Sequence, residues 1–397
     1  MKNNIAVIGL GYVGLPLAIE ASKAGYYVIG IDKDQNRINQ INLGISPIED
    51  VLNETVLENV KRKGFFATSD ISRISEASII ILCLPTPLTA SRKPDLSHLH
   101  ESISGIRINA NKGSLIIVES TVAPGTTRAL YDQIMEQNKR LLPGDIDIAF
   151  SPERIDPLNK KWKITNTPKL VSGLTLNSKH RALDFYAKFV KTLVECDSLE
   201  IAETAKLLEN SFRFINISFI NELAMICQRL NIDIHQVISA ASSKPYGFMT
   251  FHPSMGIGGH CIPVDPIYLA DKATEIGTPS KFIALAEEIN SSIPYNYVKL
   301  AEEKLGDLQH KTIIVLGVSY KPNVSDTRES PAQNLIFGLR QKGAKVFWND
   351  ELVSEWNGEK SVEIGDHYDL AVLTIHHDYM DLTKLGNVPI LTTRGIS

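Results

Sequence analysis

Twenty consecutive apolar residues occur nowhere in this chain, and no tract is built from only a few residue types, so neither a membrane-spanning helix nor a low-complexity arm is expected. The opening Met1-Lys2-Asn3-Asn4 runs straight into an apolar stretch of about five residues, too short for a signal peptide, and the expectation is a cytoplasmic protein. An excess of basic charge is also missing. With 41 Lys and Arg against 45 Asp and Glu, a net charge of -4, there is no electrostatic case for nucleic acid or an anionic membrane as partner. Cysteine is scarce: the four, at positions 83, 196, 227 and 261, lack C-x-x-C spacing and the density of a secreted scaffold, so free thiols in a reducing compartment are expected and each is read by itself. What remains is 397 residues, 43% of them hydrophobic, enough for two or three domains with ordinary cores.

Short apolar runs alternate with stretches long enough for helices. Ile5–Ile8, Tyr27–Ile31, Ser78–Leu84, Ser114–Val118 and Ile146–Ala149 read as buried strands, with a helix over Leu15–Lys23, and the alternation favours a mostly parallel, doubly wound sheet. From Leu199 to about Leu230 neither Pro nor Gly occurs, which predicts one helix roughly 45 Å long. Ile201, Ala205, Leu208, Phe212, Ile215, Phe219, Leu223 and Ile226 form one apolar stripe on it, with Leu207, Phe214, Ile217, Ile220, Ala224 and Cys227 elsewhere. Apolar residues on more than one face suit a spine between domains or a subunit contact. A strand at Lys311–Leu316, a helix over Glu329–Gln341 and a strand at Lys345–Trp348 repeat the opening order, and Ser242–Pro266 is the least regular interval.

Gly9-x-Gly11-x-x-Gly14 follows the first strand and opens the first helix. The first glycine permits the tight turn, the second lets backbone approach a pyrophosphate, and the third lets helix and strand pack closely, while the helix N-terminus offers N–H groups to phosphate. Asp32, 18 residues after Gly14 at the end of the next strand, can bind a ribose 2'-hydroxyl and would repel a 2'-phosphate, which favours NAD over NADP despite Lys33 and Arg37 nearby. Cys261 sits in Gly256-Ile-Gly-Gly-His-Cys261-Ile-Pro-Val-Asp265-Pro, a glycine and proline setting that packing rarely demands. A thiol reacts as thiolate, and His260 or a lysine brought near would favour that form. Cys83 and Cys227 fall in apolar elements and read as core, and Cys196 has no motif around it. Lys206 and Asn210 share one face of the long helix.

Together the segments Gly9-Leu-Gly-Tyr-Val-Gly-Leu-Pro16, Pro85-Thr-Pro87, Glu119-Ser-Thr-Val-Ala-Pro-Gly-Thr-Thr127, Ser151-Pro-Glu-Arg154, Lys206-Leu-Leu-Glu-Asn210, Gly258-Gly-His-Cys-Ile-Pro-Val-Asp265, Tyr320-Lys-Pro-Asn323 and Asp326-Thr-Arg328 resemble the UDP-glucose/GDP-mannose dehydrogenase family along essentially the whole chain. The resemblance implies an α/β protein of two Rossmann-like doubly wound domains joined by an all-helical domain with a long spine helix. Its expected parts are an NAD-binding domain over 1–196, a helical dimerisation domain with the cysteine loop over 197–300, and a UDP-binding domain over 308–397. It further implies that Gly9, Gly11, Tyr12, Val13, Gly14, Asp32, Arg37, Thr86 and Thr121 contact NAD, and that Lys321 reaches the nucleotide site, from a partner subunit in one reading. Glu153, Arg154, Lys206, Asn210, Arg213 and Arg328 match positions that hold or work on the UDP-sugar, Gly258 is expected to contact it, Lys244 is expected to take the place of a cation missing from its loop, across the dimer in one reading, and Asp265 matches the carboxylate that works with the lysine. No metal is expected, and the expected assembly is a homodimer or larger through the central helix.

In the family a C6 primary alcohol is oxidised to an aldehyde, which Cys261 would trap so that a second oxidation yields a thioester and then the acid. Lys206 would stabilise an oxyanion or exchange a proton, Asn210 would donate to it, and Asp265 or Glu153 would position the hydrolytic water. The stretch Lys244-Pro-Tyr-Gly-Phe248 to Phe251-His-Pro253 resembles members acting on UDP-N-acetylglucosamine, and no arginine stands between Leu230 and Arg328, as members acting on UDP-N-acetylmannosamine tend to have. UDP-glucose, UDP-N-acetylmannosamine and GDP-mannose stay open. A single-step hydroxyacid-type dehydrogenase would share the glycine fingerprint without needing Cys261, and a non-catalytic nucleotide-binding regulator would not need Lys206, Asn210 and Cys261 together. The C-terminal end departs from the family pattern: Thr392 stands where members commonly have an aspartate.

Overall fold

The glycine turn joins β1 (Asn4–Ile8) to α1 (Gly14–Lys23), and the first of two units is built around that junction in the computed structural model, which describes residues 4–49, 51–136, 140–156, 159 and 161–396. The chain divides between Leu208 and Glu209. In the first unit the strands β2 (Tyr27–Ile31), β3 (Phe65–Thr68), β4 (Ile79–Leu82), β5 (Leu115–Val118), β6 (Asp147–Phe150), β7 (Lys169–Gly173) and β8 (Leu193–Glu195) join β1 in the order β3-β2-β1-β4-β5-β6-β7-β8. Neighbours run parallel except at β6 and β7. The central strands read as unbroken Ile, Val and Leu because α2 (Gln35–Asn42), α3 (Asn53–Lys61), α4 (Ser97–Asn109), α5 (Thr126–Glu136) and α6 (Leu176–Tyr186), with α1, leave no sheet face for water. Strand order reverses between β1 and β4, so a crevice opens at their carboxyl ends, the usual ligand position in such sheets.

The predicted spine is α7 (Leu199–Arg229), about 46 Å of continuous helix at 1.5 Å per residue. Its two apolar sets part company. Leu207, Phe214, Ile220 and Cys227 are buried, whereas Ile201, Leu208, Phe212, Phe219 and Ile226 of the predicted stripe are 44–61% exposed. In the second unit α8 (Ile234–Ser242), α9 (Asp265–Glu275) and α10 (Lys281–Leu305) follow, with residues 244–264 outside regular structure. β9 (Thr312–Leu316), β10 (Lys345–Asn349), β13 (Leu370–Leu373), β14 (Ile390–Thr392) and β15 (Gly395–Ile396) then form a sheet in the order β10-β9-β13-β14-β15, beside a small hairpin of β11 (Glu355–Trp356) and β12 (Glu359–Lys360). Only the β14–β15 pair of that sheet is antiparallel. The helix expected from Glu329 is α11 (Ala332–Gln341), starting three residues later because Glu329 lies at φ +52° and Pro331 caps the helix. Thr392 closes the β14–β15 turn, accepting from Arg394 N at 3.0 Å and donating to Gly395 O at 3.3 Å. Among the described residues no helix is long and apolar enough to cross a membrane.

Candidate active site

The three fingerprint glycines face different surroundings. A Cβ on Gly14 would meet Gly9 O at 1.8 Å and one on Gly9 would meet Cys83 O at 2.5 Å, so both are closed by the packing of β1, α1 and the end of β4. One on Gly11 would meet nothing within 4 Å. The second glycine therefore fronts open space at the N-terminus of α1, the arrangement a pyrophosphate needs, and the loop fits NAD. Asp32 ends β2 and accepts from Leu10 N at 2.8 Å, which ties the turn to the strand, and from Arg37 Nη1 at 3.0 Å. Arg37 thus lies beside the Asp32 carboxylate. Thr86 Oγ1 donates to Thr121 O at 2.8 Å, bringing those two loops together at the carboxyl ends of β4 and β5. Tyr12 and Val13 are half-buried beside the turn, and Tyr12 Oη donates to Glu49 at 3.0 Å.

Glu153 follows β6. Its Oε1 accepts from Arg154 N at 2.6 Å and Ile155 N at 2.7 Å, while its Oε2, buried, accepts no hydrogen bond among the described residues. Arg154 Nη1 donates to Pro168 O at 2.7 Å. Beneath Glu153 lies a charged group that sequence reasoning missed. Lys169, at the start of β7 and 5% exposed, reaches Glu119 at 3.2 Å and Glu153 at 3.6 Å. Tyr186 Oη donates to Glu119, and the lysine ammonium stands 5.0 Å from the Tyr186 ring. Burial raises the Glu119 pKa, with Lys169 opposing and Glu153 adding to the rise; burial also opposes charge on Lys169, but the two glutamates outweigh it and hold its pKa above the ordinary value. Burial likewise pushes the Cys83 thiol well up, which leaves it inert.

On α7, Lys206 and Asn210 stand one turn apart and each is 8% exposed, so neither lies on a solvated polar stripe. Among the described residues of the first unit no carboxylate pairs with Lys206. Glu203, one turn earlier and fully buried, was also missed: its carboxylate accepts from Gly125 N at 2.7 Å and Thr127 N at 2.8 Å, capping α5 just after the Thr121 loop. In the second unit Asn210 Nδ2 donates to Asp265 Oδ2 at 2.5 Å. Asp265 opens α9, and its N–H donates to Cys261 O at 2.8 Å, so the cysteine is held one turn before that helix.

The loop's glycines are required by its seat. Gly259 has φ +92°, its N–H donates to Arg328 O at 3.1 Å, and a Cβ there would strike the Tyr320 ring at 2.8 Å; a Cβ on Gly258 would strike Glu329 O at 2.8 Å. The cysteine loop is thereby laid on the segment carrying Lys321 and Arg328. His260 Nδ1 lies 3.6 Å from Asp326 Oδ2 and 3.0 Å from Arg328 Nη2, and Arg328 is itself bound to Asp326. A guanidinium only donates, so a protonated ring tolerates that approach because both cations share Asp326. Burial opposes the charge on His260, but hydrogen bonds with Asp326 and the Cys261 thiol raise its pKa to about 9. Burial opposes ionisation of Asp326 in turn, and His260 and Arg328 hold it well below the usual carboxylate range. Of the four cysteines, only Cys261 is not buried. Lys321 is half-buried, Arg213 is exposed, and Lys244 is exposed with its ammonium 5.1 Å from the Tyr246 ring.

Three family models cover most of the chain: the NAD binding domain of the UDP-glucose/GDP-mannose dehydrogenase family matches residues 3–190, its central domain 200–292 and its UDP binding domain 314–388. A UDP-N-acetyl-D-glucosamine 6-dehydrogenase of Salmonella typhi is 34% identical over 94% of this chain and 89% of its own length. A UDP-N-acetyl-D-mannosamine dehydrogenase of Methanococcus vannielii is 32% identical over 99% of this chain and 92% of its own. The solved structure of a UDP-D-ManNAc dehydrogenase from Pyrococcus horikoshii superposes with a TM-score of 0.89 at 30% identity, covering 98% of this chain and 93% of that one. An open glycine turn that fits NAD, a second nucleotide fold and matches spanning all three parts have one reading: this chain belongs to the UDP-glucose/GDP-mannose dehydrogenase family and is an NAD-dependent oxidoreductase of UDP-sugars.

Proposed function

We propose that the chain oxidises the C6 primary alcohol of a UDP-N-acetylhexosamine to the uronic acid in two steps, with Cys261 as nucleophile. The observation that carries this is the environment of Cys261: the one thiol that is not buried, held by Asp265 N–H and adjoining an imidazole that Asp326 keeps cationic. The Gly9–Gly14 turn with Asp32, Arg37, Tyr12, Val13, Thr86 and Thr121 would hold NAD, which would supply the hydride acceptor for each oxidation. An aldehyde has no hydroxyl to oxidise, so addition of the Cys261 sulfur to its carbon supplies the tetrahedral alcohol that the second oxidation needs. Lys206, buried and without a carboxylate in its own unit, suits the oxyanion of that adduct, and Asn210 beside it has a donor amide. Oxidation of the adduct leaves a thioester. Water then adds to the thioester carbon, gives its proton to a carboxylate, and the C–S bond breaks to release the acid and the Cys261 thiolate. Asp265 already accepts from Asn210, whereas Glu153 Oε2 accepts nothing among the described residues, which favours Glu153 as that carboxylate.

Arg154, Arg213, Lys244, Gly258, Lys321 and Arg328 are proposed to hold the nucleotide and sugar. The cluster of Arg328, His260 and Asp326 supports this for Arg328, and the exposed stripe of α7 supports a homodimer through that helix, whose partner would bring Lys244 or Lys321 to the site. UDP-N-acetylglucosamine is the first substrate proposed, on the Lys244–His252 stretch, and UDP-N-acetylmannosamine the second, on relatives of nearly equal identity. A panel of UDP-N-acetylglucosamine, UDP-N-acetylmannosamine and UDP-glucose, with NADH counted per sugar consumed, tests the reading. Two NADH per sugar on one N-acetylated member is expected. One NADH per sugar returns the chain to single-step dehydrogenases.

A further inference from the structure

Glu153 stands above a closed charged cluster drawn from every neighbouring element: Lys169 from β7, Glu119 from the end of β5, Tyr186 from α6 and Cys83 from the end of β4. We propose that Lys169 is a positioning residue for the hydrolytic half of the reaction, holding the Glu153 carboxylate and the backbone beneath it in one orientation. The inference rests on the reading of Glu153 given above.

Three observations carry it. Lys169 Nζ, besides its two carboxylates, donates to Pro152 O at 3.4 Å, so it fixes the backbone on which Glu153 stands as well as the side chain. Glu153 Oε1 is occupied by the N–H groups of Arg154 and Ile155, which locks the carboxylate plane, and the buried Oε2 lies 3.6 Å from the ammonium of Lys169. A fully buried lysine is costly unless paired, and Glu119 with its Tyr186 hydrogen bond supplies the pairing from below. One cation thus serves two carboxylates. Burial raises the proton affinity of Glu119, the more deeply buried of the two. A purely structural ion pair would need only one of the two glutamates.

The test uses the full chain with NAD and the panel member that yields two NADH. K169M/E119Q removes the buried pair together, which preserves packing, and K169R retains the charge. In K169M/E119Q the first turnover of NADH is expected to stay within about threefold of wild type, while steady-state turnover at pH 7 falls tenfold or more and acyl-enzyme accumulates on Cys261 as an added mass. K169R should restore most of the rate. Unchanged hydrolysis, or an equal loss of every step, would overturn the proposal. E153Q separates the two readings. Acyl-enzyme build-up in E153Q without build-up in K169M/E119Q rejects Lys169 alone, and wild-type hydrolysis in E153Q rejects the Glu153 reading and this inference with it.

Discussion

At the scale of single residues, Cys261 and His260 act as a pair. Cys261→Ser should bind NAD as wild type does and release no acid, stopping at an enzyme-bound aldehyde with no more than one NADH per sugar; two NADH per sugar from that variant would remove the thioester. His260 makes a second, pH-dependent claim. Its pKa in the folded chain, about 9, stands above the ordinary 6.5, so the stability it contributes is complete below about 6.5 and lost as pH rises through 9. The melting temperature of His260→Gln should therefore lie below wild type near pH 6, with the gap closing by pH 10. Iodoacetamide, which can reach one thiol per native chain, should alkylate Cys261 alone, read as a single added mass. A gap that does not change with pH would deny the charge on His260. Cys261 was legible in the sequence because glycines and prolines around a thiol announce a fixed backbone path. Lys169 was not: it opens a strand as a lone lysine, and both its carboxylate partners come from other strand ends, Glu119 fifty residues away. Glu203 was equally silent, one glutamate on a helix whose partners are backbone amides of Gly125 and Thr127.

Among the elements, α7 was the most legible, since thirty residues without Pro or Gly permit little else, and its ends fall at Leu199 and Arg229. Which of its apolar sets faces inward was less so, because helical periodicity marks a stripe without naming what covers it. Leu207, Phe214 and Ile220 are the inward set, and Leu208, Phe212, Phe219 and Ile226 remain exposed along successive turns. Apolar surface of this length seldom stays in water. Phe219→Glu is expected to turn a dimer into a monomer in sedimentation equilibrium, since burying one such ring contributes roughly 1.5–3 kcal/mol and a charge there would cost more. A wild-type chain that sediments as a monomer, or a variant that remains dimeric, would separate α7 from assembly. The shorter elements were read where β-branched runs are long, as at β2 and β9, and missed where they are short or polar, as at β3, β7 and β8.

The whole molecule repeats one device in two nucleotide folds and keeps only one of them open. Gly9 at φ +91° and Gly317 at φ +81° each end a first strand, and Leu10 N and Val318 N each donate to an aspartate at the close of the second strand, Asp32 at 2.8 Å and Asp350 at 3.0 Å. This internal likeness was visible in the sequence as two strand–helix–strand units, but the fate of the two carboxylates was not, because it turns on a residue far along the chain. Asp350 is fully buried: His377 Nε2, also fully buried, donates to it at 3.1 Å, and Ser319 N adds a further hydrogen bond. His377 Nδ1 accepts from Asn323 N at 2.9 Å, so the histidine fixes the Tyr320–Asn323 loop. Burial works against ionisation of Asp350, yet His377 and the backbone amides hold its pKa below the ordinary value. The second fold thus uses its carboxylate to hold its own loop and histidine. Equilibrium dialysis should find one NAD per chain. Asp32→Ala should weaken that binding tenfold or more with little loss of stability, whereas Asp350→Asn should leave NAD affinity intact and lower the unfolding free energy by about 1.5–3 kcal/mol, the worth of hydrogen bonds to a buried charge. Two NAD per chain, or a fall in NAD affinity in Asp350→Asn, would mean that the second fold is open after all.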